Sequence, residues 1–211
     1  MKHVLGKIVR PTLGQLVLRI FSVRTYGAEN IPASGAVIAG NHVSYLDPVL
    51  LWCATPRPVH FMAKRELWDG WFLAWVLPRL WAFPVNRNGV DRAAIETASG
   101  LLADGELVGI FPEGTRAEAD ATSLGQAHGG VAFIAMRAGV PIVPAAFVGT
   151  DSAMPRGVKF PRPRKVTVWF GAPVDPVSFS EGSRKERVDA VTAAVMSEIG
   201  TGIATVKELR R

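Results

Sequence analysis

The sequence predicts an α/β domain in which a central, mostly parallel sheet is flanked by helices, with an amphipathic helical segment at the N-terminus. Short apolar runs of strand length alternate with segments of helical period, the arrangement that builds parallel sheets. The 211 residues, 48% hydrophobic and 20% charged, suffice for one domain with a real core and leave no room for a disordered or low-complexity reading. No internal repeat and no long linker interrupts the chain, so residues 1–24 are read as the N-terminal helix and 25–211 as one domain.

The N-terminal segment carries Lys2, Lys7, Arg10, Arg19 and Arg24 and no acid. Leu5, Ile8, Val9, Leu13, Leu16 and Ile20 recur at helical spacing, with Lys7, Arg10 and Gly14 on the other side. Pro11 is expected to kink this helix or split it in two. A basic amphipathic helix suits an anionic membrane surface, and the same pattern also suits a helix covering the core. Arg10 and Pro11 interrupt any signal-peptide apolar region.

Strands are predicted at 36–39, 59–62, 107–111, 142–148 and 166–170, and helices at 48–54, 70–80, 91–104, 130–138 and 184–199. Asp47-Pro48 reads as an N-cap followed by proline at the first helical position. Residues 67–81 hold four of the six tryptophans in a stretch too short to span a bilayer. That stretch reads as lying in a membrane surface or lining an acyl pocket, with a buried core helix as the plainer alternative. Residues 156–165 form a basic loop stiffened by Pro161 and Pro163. The final polar residues, 207–211, are expected to fray.

The net charge of +6 draws the protein toward polyanions. Nucleic acid fits poorly: no zinc-finger spacing, helix-turn-helix or RNA-binding motif is present, and the tryptophans cluster with aliphatic residues. The single cysteine, Cys53, excludes an internal disulfide framework and a Cys-rich zinc site. His3, His60 and His128 are scattered and give no paired-histidine metal motif.

Two segments carry chemistry. Asn41-His42-Val43-Ser44-Tyr45-Leu46-Asp47 follows the 36–39 strand, which places His42 as a base at the carboxyl edge of the sheet. Asp47 would orient the imidazole, provided that the segment between them turns, because a spacing of five puts the two on different helical faces. Asp47 acting only as a cap is the bland alternative. Ser44 is too near His42 in the chain for a hydrolase triad, and the Gly-x-Ser-x-Gly elbow is absent. The second segment, Phe111-Pro112-Glu113-Gly114-Thr115-Arg116, ends the 107–111 strand in a glycine loop with an arginine suited to phosphate. Lys64 and Arg87 are further basic residues; Lys64 follows its own strand and should reach the same edge as His42 and Arg116.

Asn-His-x-x-x-x-Asp, Phe83-Pro84-Val85-Asn86-Arg87, Phe111-Pro112-Glu113-Gly114-Thr115-Arg116 and Val140-Pro141-Ile142-Val143-Pro144 stand in the order and approximate spacing of four blocks of the glycerolipid acyltransferases. From about residue 26 to 173 the chain resembles the PlsC-type, lysophosphatidate acyltransferase branch. The resemblance implies transfer of an acyl group from acyl-CoA or acyl-carrier protein to a hydroxyl of lysophosphatidic acid. It implies His42 as general base, Asp47 as its orienting carboxylate, and Arg87, Glu113, Gly114, Thr115 and Arg116 around the acceptor, with Lys64 and Arg116 on its phosphate. No metal or prosthetic group is implied, and the expected location is the cytoplasmic face of a bacterial inner membrane, peripheral or monotopic. The chain departs from the pattern after Arg116, where Ala117, Glu118 and Asp120 stand; His128 reads as an ordinary loop histidine, with replacement of the missing basic residue as an anion contact the alternative. Another lysolipid, an amino-acid lipid or a glycolipid as acceptor, a thioesterase, and a non-catalytic lipid-binding module are the competing readings.

Overall fold

The computed structural model describes residues 4–86, 89–114, 125, 127–158 and 160–211, without the side chains of 4–9. Among the described residues seven strands form one sheet: β1 (Arg24–Tyr26), β2 (Ala36–Gly40), β3 (Val59–Lys64), β4 (Ala82–Val85), β5 (Leu107–Ile110), β6 (Ile142–Val148) and β7 (Thr167–Phe170). Their order is β1-β7-β6-β2-β5-β3-β4, parallel at every pairing except β6–β7, which is antiparallel. The helices are α1 (Val4–Ile20), α2 (Leu46–Ala54), α3 (Trp71–Val76), α4 (Arg92–Ala103), α5 (Gly130–Ala138), α6 (Thr150–Ala153) and α7 (Arg184–Leu209).

Two apolar layers cover the sheet. On one face α1 and α2 bring Phe21, Leu50, Leu51 and Trp52 against Ile38, Val59 and Phe147; on the other, α4, α5 and α7 bring Ala98, Ile134 and Ile199 against Val37 and Val108. The predicted sheet and flanking helices are present, and the structure adds two strands. Both additions are short edge strands, and β4 contains Pro84, which an edge tolerates because one side needs no ladder donor. The 70–80 helix is a short α3 continued by a 3-10 turn over Leu77–Leu80. The C-terminus does not fray at 207: α7 reaches Leu209, and Arg210 donates to the carbonyls of Val148 (2.7 Å) and Lys165 (3.0 Å).

Helix α1 is not split in two, and it bears on the choice left open for its aliphatic stripe. It runs unbroken through Pro11, whose ring lies exposed, so the bond missing to the preceding turn faces solvent. The side that meets the body is also not the aliphatic stripe. A Cβ placed on Gly14 would stand 3.7 Å from the Cys53 sulfur, and Arg10 donates to the carbonyls of Trp52 (3.0 Å) and Thr55 at the end of α2. Leu13, Leu16 and Ile20 stay exposed. Arginine wins the inner position because the last carbonyls of α2 lack helical partners and the guanidinium supplies donors.

Burial pushes the Cys53 thiol from 9.0 up to about 11, against the pull of neighbouring Arg10. A thiol raised in the folded state stabilises the fold below its ordinary pKa, and that contribution is lost as pH climbs toward 11. Urea midpoints are therefore expected to fall more steeply with rising pH above 9.0 in the parent protein than in Cys53→Ala. Equal slopes would show that Cys53 carries no linkage.

Candidate active site

The centre of the sheet delivers the reactive segment. All five residues of β2 are buried, and Gly40 has no room for a side chain: a Cβ there would stand 2.7 Å from Phe147 Cε2. The next residue, Asn41, extends the pairing with a side chain in place of backbone. Its Oδ1 accepts from Phe147 N–H at 2.7 Å, and its Nδ2 donates to Phe147 O at 3.1 Å. The chain then leaves the sheet, and Asp47 supplies the turn that the five-residue spacing required. One oxygen, Oδ2, accepts from the N–H groups of Val43 (2.8 Å) and Ser44 (2.7 Å) and from His42 Nδ1 (3.0 Å). Asp47 is fully buried and lies inside the first turn of α2, not at its N-cap, which is Tyr45. A helix-capping carboxylate would face the N–H groups that follow it; this one faces those that precede it.

Two contacts hold the imidazole and a third holds its backbone. The ring Nδ1 faces a carboxylate oxygen, an arrangement that in the neutral ring favours the proton on Nδ1 and the lone pair on Nε2. The ring stacks on Phe111 with centroids 4.3 Å apart. The His42 backbone N–H donates to Glu113 Oε1 at 3.0 Å, and Glu113 Oε2 accepts from Gly125 N–H at 3.1 Å. Glu113 is thus buried and tied to two main-chain groups, a role that sequence could not show because backbone donors leave no mark in it. The turn Phe111-Pro112-Glu113-Gly114 closes with Gly114 N–H on Phe111 O (3.0 Å), and Gly114 has φ +65°, which favours glycine.

A groove of about 690 Å³ opens beside His42, walled by Met62, Val85, Ile95, Ile110, Phe133 and Val188, with Gly114 and His128 also on it. It runs along the carboxyl ends of β2, β5, β3 and β4, three strand spacings or about 14 Å. At its far end, the N–H groups of Asn86 and Ala94 hold the Asp91 carboxyl below its ordinary range. Residues 70–81 do not line this groove; Trp71, Phe72 and Trp75 lie exposed, while Trp81 is buried beside Trp52.

The structure therefore brings His42, Asp47, Glu113 and Gly114 together. Lys64 ends β3 on the same edge but pairs with Glu66 at 3.3 Å and is not part of the groove wall. Arg87, Thr115 and Arg116 lie outside the described residues. Ser44 Oγ donates to Met154 O at 3.0 Å, and Cys53 sits under α1, so neither stands as a nucleophile at the groove.

Comparison with known proteins identifies the family and the fold. A family model described as Acyltransferase matches residues 22–148. The chain is 36% identical over 179 residues to the 1-acyl-sn-glycerol-3-phosphate acyltransferase of Bacillus subtilis, covering 84% of this chain and 86% of that one. It is 27% identical over 184 residues to the protein of the same name from Borreliella burgdorferi, covering 86% and 71% respectively. The crystal structure of the 1-acyl-sn-glycerophosphate acyltransferase PlsC from Thermotoga maritima superposes with a TM-score of 0.75 at 28% identity, over 95% of this chain and 80% of that one.

Proposed function

The chain belongs to the acyltransferase family and is an O-acyltransferase, and from that premise we propose that it acylates lysophosphatidic acid to phosphatidic acid, with an acyl-CoA or acyl-carrier-protein thioester as donor. The observation that carries this reading is the 3.0 Å contact of His42 Nδ1 with Asp47, at the mouth of an apolar groove. With Nδ1 engaged, Nε2 is the nitrogen left to take the acceptor's hydroxyl proton as its oxygen attacks the thioester carbonyl carbon. The tetrahedral intermediate collapses by breaking the C–S bond, and the leaving thiolate recovers the proton from His42. A thiol is a good leaving group near neutral pH, so one imidazole serves both steps. The acyl chain lies in the groove. Arg116, Arg87 and Lys64 remain the basic residues assigned to the acceptor by family motif.

Among the described residues no helix is long and apolar enough to cross a membrane. The exposed apolar residues are instead concentrated on one layer: Leu13, Leu16 and Ile20 of α1, Tyr45 and Val49 at α2, and Leu67, Trp71, Phe72, Leu73 and Trp75 around α3. Trp71 is 84% exposed, far beyond what a soluble surface favours for that residue. This layer rests on the cytoplasmic leaflet of the bacterial membrane, with the tryptophans at headgroup depth.

Purified protein, several acyl-CoAs and a panel of lysolipids test the reading, with free thiol and acylated lipid both followed. Lysophosphatidic acid is expected to give equal amounts of thiol and acylated product. Thiol release without acylated lipid would make the protein a thioesterase, and a preference for an uncharged lysolipid would overturn the phosphorylated acceptor.

A further inference from the structure

The segment 154–165 lies outside the proposed reaction, yet its placement is specific. No acid stands in the sequence between Asp151 and Asp175, whereas Arg156, Arg162, Arg164 and Lys165 fall in this loop. All four are exposed, Pro155, Pro161 and Pro163 stiffen the backbone, and Phe160 stands 80% exposed among them. Both roots of the loop lie on the α1–α2 side of the sheet: Ala153 and Val166 belong to its core cluster, and Met154 packs on it. Val166 N–H donates to Phe21 O at 3.1 Å, directly after α1, and Ser44 Oγ donates to Met154 O at 3.0 Å, inside the turn that holds His42. The loop is therefore fastened at one root to the exposed apolar layer's first helix and at the other to the reactive turn.

We propose that loop 154–165 is an arm that binds anionic phospholipid headgroups and seats the His42 edge of the sheet against the bilayer, an inference that rests on the membrane reading above. Guanidinium groups suit phosphate, an exposed phenylalanine suits the interface, and the proline-set backbone presents them with little ordering to be done. Each basic residue close to an anionic surface strengthens binding about fivefold, so three arginines together account for roughly 100-fold.

Vesicle co-sedimentation with phosphatidylcholine alone, and with phosphatidylglycerol mixed in, tests the arm. The parent protein is expected to favour the anionic vesicles. The triple variant R156Q/R162Q/R164Q should lose that preference by roughly 100-fold and bind neutral vesicles as the parent does. Trp71→Ser with Trp75→Ser should weaken binding to both vesicles and retain the anionic preference. An anionic preference undiminished in the triple variant overturns the arm while leaving the membrane reading in place; a parent protein that binds neither vesicle overturns both. Unchanged vesicle binding, with a rate loss confined to acyl-carrier-protein donors, would make the loop a dock for an acidic carrier protein and also overturn the proposal.

Discussion

Replacing His42 by alanine is expected to lower acyl transfer by about 10²–10⁴-fold, the range contributed by a well-placed general base. Nothing else described on the groove wall combines a free ring nitrogen with a carboxylate partner: His128 lies near Gly114 but has no acid bonded to it among the described residues. Asp47→Asn should cost nearly as much for a different reason. The asparagine oxygen still accepts from Val43 and Ser44 N–H, so the turn survives. The same oxygen faces His42 Nδ1, but as an amide oxygen it carries no charge, so the imidazolium formed when His42 takes the proton loses its counter-charge. The measurement is initial thiol release with acyl-CoA and lysophosphatidic acid, beside circular dichroism and vesicle binding, both of which should match the parent. Activity within threefold of the parent in His42→Ala would leave the proposed chemistry without its base.

A second large effect is expected from Ile95→Trp, which adds bulk to the wall of the groove between β2 and β4. Displacing about four methylenes of a long acyl chain forfeits about 3 kcal/mol of burial, or roughly 200-fold in kcat/KM. A donor short enough to stop before Ile95 should keep its rate, so the ratio of long-chain to short-chain turnover is the quantity to measure. An equal fall for both donors would place the acyl chain elsewhere.

Much of this site was legible in the residues, because a strand that is apolar throughout and ends in Asn-His announces both its burial and its reactive edge. The five-residue spacing is unfavourable on a helical face and works here because Asp47 bonds the backbone of Val43 and Ser44. Glu113 read as a substrate contact because a carboxylate's backbone partners cannot be seen in a sequence. The strands β1 and β4 escaped notice because each has three or four residues at a sheet edge, where pairing with one neighbour demands little of the side chains. Helical period gave α1 correctly as a two-sided helix, but not which side meets the body. That was decided by the close approach of Gly14 to Cys53 and by the unpaired carbonyls that Arg10 finds at the end of α2.

The single reversal in the sheet has a consequence for how the molecule is used. Because β7 runs against β6, the chain turns back at the rim where β6 ends, and β1, parallel to β7, starts at that rim too. The end of α1, the 154–165 loop and the turn bearing His42 consequently share one border of the molecule, and under the membrane reading proposed above an amphiphile would be worked on without leaving its leaflet. The opposite border is held together by Arg57, which gathers the carbonyls of Pro32, Ser34 and Gly105.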